Sequence, residues 1–345
     1  MPSDVATQVV ELTAFDPNAL TQVVSGAEFE HKRLPGGDSS ISLLQSNLPH
    51  SAFNRGIYSG AILGNGTFPL NAITIGMYAR QTEQSILNGS RIPTGTLVCY
   101  PEKADVCYRG FPGVTWFTFT ISRERLLAFC ADYFDEIPAL PNSRLATFQP
   151  KQKAADQFLN ALRDLDRSLR SLGSTQNAAR LGQAIENDLL ARIATLFSSK
   201  PVLRKNHDRR NFRLRHEILR DTMKLVEDDP TEMLDLASLS RATGLNPRSL
   251  QRVFRSEYGL SPQEWLRVER LSRVRQELLS SSHSNSVTEI AVRWGFFHLG
   301  RFSNYYRELF GELPVETLSR RVTPVRPSNS FGMKSKSRSE DRRSL

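Results

Sequence analysis

Near the end of the 345-residue chain, one spacing of apolar residues and glycines occurs twice, 51 residues apart. In the first copy Leu239 precedes Gly244 by five positions, and Leu250, Phe254 and Gly259 follow that glycine at six, ten and fifteen. In the second, Ile290 precedes Gly295 by five, and Phe302, Tyr306 and Gly311 follow at seven, eleven and sixteen. Apolar residues four apart share one face of a helix, and a glycine just past a short helix supplies a sharp turn into the next. The spacing therefore predicts two helix-turn-helix units that differ by one residue in the turn. Such a unit presents its second helix to a DNA major groove, so two in one chain predict two adjacent grooves of double-stranded DNA read together.

Local start signals sharpen this reading. Asn246 is an N-cap with Pro247 at the first helical position, opening a helix to about Tyr258. Ser261-Pro262-Gln263-Glu264 is a capping box that opens a long spacer helix through Leu279, with Leu271, Val274 and Leu278 on its apolar stripe. Ser286-Val287-Thr288-Glu289 is a second capping box. With Leu250 and Phe254 inward, Arg248, Gln251, Arg252 and Arg255 project outward. In the second unit Leu299, Phe302 and Tyr306 are expected inward, which leaves His298, Gly300, Arg301, Ser303, Asn304 and Arg307 outside. Arg and Gln make bidentate bonds to guanine and adenine edges, each worth roughly 1 to 3 kcal/mol of discrimination. A merely solvated polar face is the bland alternative, and the repeat argues against it.

Charge points the same way. Residues 1–200 hold 18 basic and 18 acidic side chains, while residues 201–345 hold 27 and 18 and carry the whole net charge of +9. That asymmetry suits a polyanion partner. Most of the excess lies at 318–345, with 8 basic against 2 acidic residues; residues 321–345 are expected to be a disordered basic tail, with a phosphate-seeking arm as the other reading.

The rest of the chain divides by period. β-Branched and aromatic runs at 41–44, 72–78, 96–100 and 115–120, broken by Pro-Gly and Asn-Gly turns, predict short strands in a small roll or sandwich over residues 1–140, expected to be cupin-like. Tyr78, Trp116 and Phe119 are candidates to line a pocket there, or plain core. From 141–200 the period is helical: Phe158, Leu162, Leu165, Leu169 and Leu172, then Leu181, Ile185, Leu189 and Ile193, form two stripes joined at Gly173-Ser174-Thr175. They fit an intramolecular core or a homodimer seam. Residues 201–230 read as a linker, its basic stretch at 198–211 followed by a connecting helix at 211–227, and 231–320 as the all-α module. The expected class is thus α+β: a cupin-like β-roll with a helical dimerisation segment, then a double helix-turn-helix domain.

Other classes fit poorly. The longest apolar runs fall short of a bilayer span, and the first 17 residues lack a signal pattern, so no membrane role and a cytoplasmic, nucleoid-associated location are expected. Cys99, Cys107 and Cys130 form no CxxC pair. A metal-dependent roll enzyme needs clustered ligands, but His31 and His50 lie far apart and no HxH, P-loop or Rossmann glycine motif occurs. No enzymatic activity, metal or cofactor is expected. The remaining rival is a nonspecific architectural DNA binder held by phosphate contacts.

The segment at 234–317 resembles the DNA-binding domain of the AraC/XylS family of bacterial transcription regulators. The resemblance is carried by Leu236-Ala237, Gly244, Leu250-Gln251-Arg252-Val253-Phe254, Gly259-Leu260-Ser261-Pro262, Arg270-Leu271, Leu278-Leu279, Ile290-Ala291, Gly295-Phe296, Phe302-Ser303, Tyr306, Gly311 and Pro314. It implies DNA-facing positions at Arg248, Gln251 and Arg252, and at Leu299, Gly300, Ser303 and Asn304, so at Leu299 it opposes the inward reading. It also implies an N-terminal sensing and dimerisation domain, a small-molecule effector, a homodimer, RNA polymerase as a partner and activation as the commoner outcome. Three departures stand out: Asn304 where the family has arginine, Arg301 where a ring or apolar residue is common, and Leu313 where a hydroxyl residue precedes the proline. Leu313 removes an N-cap, and Gly300 lowers helicity by roughly 1 kcal/mol against alanine, so the second unit is expected to bind DNA more loosely.

Overall fold

The computed structural model describes residues 6–12, 20–35, 40–133, 140–142, 144–171, 178–198, 202–203, 222, 225, 235–280 and 285–319. The expected tail, the turn at 173–175 and, apart from Thr222 and Leu225, the connecting helix lie outside them. Strands β1 (Ala6–Leu12), β2 (Glu28–Arg33), β3 (Ile41–Asn47), β4 (Ser51–Tyr58), β5 (Ile62–Thr67) and β6 (Ile73–Arg80) lead to short β7 (Ser85–Leu87) and β8 (Ser90–Ile92). Then come β9 (Leu97–Tyr100), β10 (Asp105–Gly110), β11 (Val114–Ile121), α1 (Arg123–Tyr133), β12 (Ala146–Gln149), α2 (Gln152–Ser171), α3 (Ala178–Ser198) and β13 (Val202–Leu203). The last of these is a two-residue strand inside the expected linker, paired with β12.

Two antiparallel sheets result, in the orders β1-β3-β4-β11-β6-β9-β12-β13 and β2-β5-β10-β7-β8. The four expected strand regions fall on β3, β6, β9 and β11. The larger sheet is covered on both faces, which is why its central strands read as nearly unbroken apolar runs. Side chains alternate: in β11 Trp116 joins the core between the sheets, while Phe117, Phe119 and Ile121 join the core under the helices. Phe119 therefore corrects the pocket expectation, since three residues along a strand reverse the face. Phe158, Leu162, Leu169, Leu189 and Ile193 are buried in that second core, packed on the sheet within one chain. Of the two readings of the stripes, the intramolecular core accounts for these residues.

The C-terminal helices are α4 (Leu236–Thr243), α5 (Pro247–Tyr258), α6 (Pro262–Ser280), α7 (Val287–Arg293), α8 (Leu299–Phe310) and α9 (Pro314–Ser319). Both turns use the predicted glycines in the left-handed region, Gly244 at φ 65° and Gly295 at φ 78°, where a side chain would be strained. The outer face of the smaller sheet packs on this module. Leu34, Ala61, Leu63 and Cys107 share a core with Leu250, Phe254, Tyr258, Trp265 and Leu266. At its edge Lys32 of β2 meets Glu269 of α6 at 2.5 Å, with side chains 3% and 1% exposed.

Candidate nucleic-acid interface

The first unit follows its local signals. The Asn246 side chain accepts a hydrogen bond from the Ser249 N–H at 2.9 Å, and Pro247 occupies the first turn of α5. Leu250, Phe254 and Tyr258 lie four apart and are fully buried, with the Phe254 ring 5.4 Å from Trp265 of α6. This anchors one face and turns Arg248, Gln251, Arg252 and Arg255 to solvent, as expected. Arg255 donates to the Gly259 carbonyl at 3.1 Å and pairs with Glu264 at 3.3 Å, so it also closes the end of its own helix. Among the described residues, Arg248, Gln251 and Arg252 have no hydrogen bond or ion pair to the protein and present unspent donors.

Between the units runs α6, 19 residues long and thus about 28 Å. Both expected capping boxes form. Glu264 accepts from the Ser261 N–H at 2.7 Å, and Glu289 from the Ser286 N–H at 2.7 Å. These bonds, with the serine hydroxyls, hold both carboxyls below the usual carboxylate range. Each helix start thus keeps a negative charge at neutral pH, which suits its dipole.

In the second unit Phe302 and Tyr306 are buried as expected, while His298, Gly300, Arg301, Asn304 and Arg307 are exposed and Ser303 is half-buried. Leu299 corrects the inward reading: it is 39% exposed at the first position of α8. Phe296 from the turn packs on Phe302 at 5.0 Å between ring centroids, and the first residue of the helix projects beyond that core. The position implied by the family resemblance is the one observed. The missing hydroxyl at Leu313 is answered from the other side, because the Glu316 carboxylate accepts from the Leu313 N–H at 2.6 Å.

One cluster escaped the sequence reading. Buried Arg275 of α6 pairs with Glu312, stacks 4.7 Å over Phe310 and reaches Tyr306, whose hydroxyl donates to Thr317 at 2.8 Å. It ties the spacer helix to α8 and α9, so the second unit is oriented by a buried polar network. The signal was a charged residue four positions after Leu271, on the apolar stripe itself.

A family model described as a helix-turn-helix domain matches residues 239–320. The XylDLEGF operon transcriptional activator 3 of Pseudomonas putida is 38% identical over 100 residues, covering 29% of this chain and 30% of that protein. Activator 2 of the same operon and organism is 34% identical over 119 residues, covering 34% of this chain and 76% of that relative. A solved AraC-type transcriptional regulator from Chromobacterium violaceum is 29% identical, covers 32% of this chain and 96% of that chain, and superposes with a TM-score of 0.30. The chain spans under a third of the length of the first of these relatives. The proteins it matches are transcription regulators, not enzymes. With two capped helix-turn-helix units on one spacer helix and a third-identical relative matched over three quarters of its length, the chain belongs to the AraC/XylS family of bacterial transcription regulators.

Proposed function

We propose that this protein is an effector-responsive, sequence-specific regulator, acting as an activator at promoters, and that each chain reads two adjacent major grooves. The observation that carries the reading is the outward face of α5, where Arg248, Gln251 and Arg252 stand exposed and unspent above a fully buried Leu250 and Phe254. In this reading Arg248, Gln251, Arg252 and, at the helix end, Arg255 contact DNA from the first unit. His298, Gly300, Arg301, Ser303, Asn304 and Arg307 contact it from the second. Residues 231–320 form the DNA-binding domain and 1–140 a cupin-like sensing domain, with α2 and α3 of the 141–200 segment packed on its larger sheet.

Effector response is supported by the smaller sheet having two occupied faces. Phe29 and Tyr108 line a space between the sheets, while Lys32 and Cys107, on the same two strands, pack against the DNA-binding module. A molecule that favours one position of those strands would favour one placement of α5 and α6. A homodimer would use the outer face of α2 and α3, where Leu181 stays exposed, because the inner stripes are spent. RNA polymerase is the proposed partner in activation and the cytoplasm the proposed location.

The test is selection of binding sites from random duplexes with the full chain, followed by affinity measurements on the selected site and a scrambled control at one salt concentration. A sequence-specific reader prefers the selected site by at least a thousandfold. Equal affinity would leave only phosphate contacts and overturn the reading. Arg252→Ala should weaken the selected site by about 5- to 150-fold and more than Asn304→Ala does; equal losses would remove the asymmetry between the units.

A further inference from the structure

The second helices of the two units are equally long, Pro247–Tyr258 for α5 and Leu299–Phe310 for α8, and they align residue for residue up to the left-handed glycines that end them. Their buried sides correspond, with Leu250, Phe254 and Tyr258 matched by Phe302, Tyr306 and Phe310. Their outer sides do not. Where α5 carries Arg248, Gln251 and Arg252, α8 carries Gly300, Ser303 and Asn304. Long hydrogen-bonding side chains give way to short ones, and a methyl group placed at Gly300 would meet nothing within 4 Å. The start of α8 can therefore come closer to a facing surface than the start of α5.

What stands beside Gly300 is apolar. Leu299 opens α8 and is 39% exposed, and Phe297, two residues earlier, is 59% exposed. Both follow the turn at Gly295, at the end of the helix that such a unit inserts into the major groove. The hydrogen-bonding base edges in that groove suit arginine and glutamine, and its apolar feature is the C5-methyl group of thymine. Covering that methyl group with a leucine or phenylalanine side chain removes both from water. Asn304 adds a short amide that suits adenine, so the apolar tip and the polar side favour the same kind of base pair.

We infer that the two units read different bases: α5 reads guanine and adenine through Arg248, Gln251 and Arg252, and α8 reads thymine by setting Leu299 and Phe297 against its methyl group. The operator is then asymmetric, with an A·T-rich half under the second unit, and each chain binds it in one orientation. The inference rests on the reading of this chain as a sequence-specific regulator.

Replacing thymine by deoxyuridine removes the methyl group and keeps the base pair. In a site selected with the full chain, this exchange in one half should weaken binding about fourfold for each methyl group covered, and in the other half by less than about twofold. Leu299→Ala combined with Phe297→Ala, both at exposed positions, should abolish the loss in the sensitive half with thermal unfolding unchanged, whereas Arg252→Ala should leave that loss in full. Selected sites without thymine in either half, affinity indifferent to deoxyuridine, or a loss that persists in the doubly substituted protein would each overturn the inference. Any of these alongside about a thousandfold preference for the selected site leaves the regulator reading standing. A chain that selects no site at all sinks that reading and this inference together.

Discussion

Glu269→Gln should loosen the junction between the smaller sheet and the DNA-binding module, and the structure sets the size of the effect. Lys32 lies 2.5 Å from Glu269 and 3.1 Å from the half-exposed Glu30, while Arg273 lies 3.2 Å from Glu269 and 3.7 Å from Glu30. Removing one partner of a buried pair costs about 3 to 5 kcal/mol, because the other charge stays buried. Lys32 keeps Glu30 in the variant, so the lower end applies: about 3 kcal/mol, or roughly 150-fold in the opening equilibrium. Lys32→Met should cost less, about 1 to 2 kcal/mol, because Glu269 keeps Arg273 and an apolar stem still covers Trp265. The double variant buries no uncompensated charge and should fall within about 1 kcal/mol of the parent. Hydrogen exchange over β2 and α6 reads this opening directly. Exchange in β2 that fails to quicken in Glu269→Gln, or single losses that simply add in the double variant, would refute the argument. Burial alone lowers the Lys32 pKa, but Glu269 and Glu30 together outweigh it and leave the group raised above 10.5. Its contribution is therefore complete below 10.5 and lost only as pH rises through the raised value, so Lys32 adds no pH dependence to the junction between pH 6 and 9.

A methyl group added at Gly300 meets no atom within 4 Å, so Gly300→Ala should steady α8 by up to about 1 kcal/mol, seen as slower exchange at 299–310; faster exchange would show a constraint that the free backbone does not reveal. Burial, partly offset by a bond to the Leu20 backbone, holds His31 down to about 3 against an ordinary 6.5. Neutral His31 thus favours the fold fully above pH 6.5, and that contribution is lost as pH falls toward 3, by on the order of 4 kcal/mol, because only the unfolded chain takes the proton. His31→Gln can still bond Tyr108 and should flatten the acid limb of an unfolding curve; identical slopes would count against it.

The parts of the fold that were legible are those governed by neighbours within four residues. The Asn246 cap, both serine–glutamate boxes and the two turn glycines act locally, and each helix they mark begins where expected. β2 shows the opposite case. Its sequence, Glu28 to Arg33, is mostly charged and reads as surface, yet Lys32 is buried because the helical module covers the outer face of the strand, and His31 because it meets Tyr108 between the sheets. Leu299 failed for a related reason: its angle on the helix is right for the core, but its place in the first turn lies past the core's edge.

From the order of residues alone came the two helix-turn-helix units, their start and stop points, the outward arginines of the first and the strand-rich character of the N-terminal half. Only the folded chain assigned which face of each strand meets which layer, turned the helical stripes into an internal core and set Lys32 against Glu269. Hydrogen bonds within one turn act on whatever chain carries them, whereas a partner 237 positions away is chosen by packing, and packing depends on every element at once.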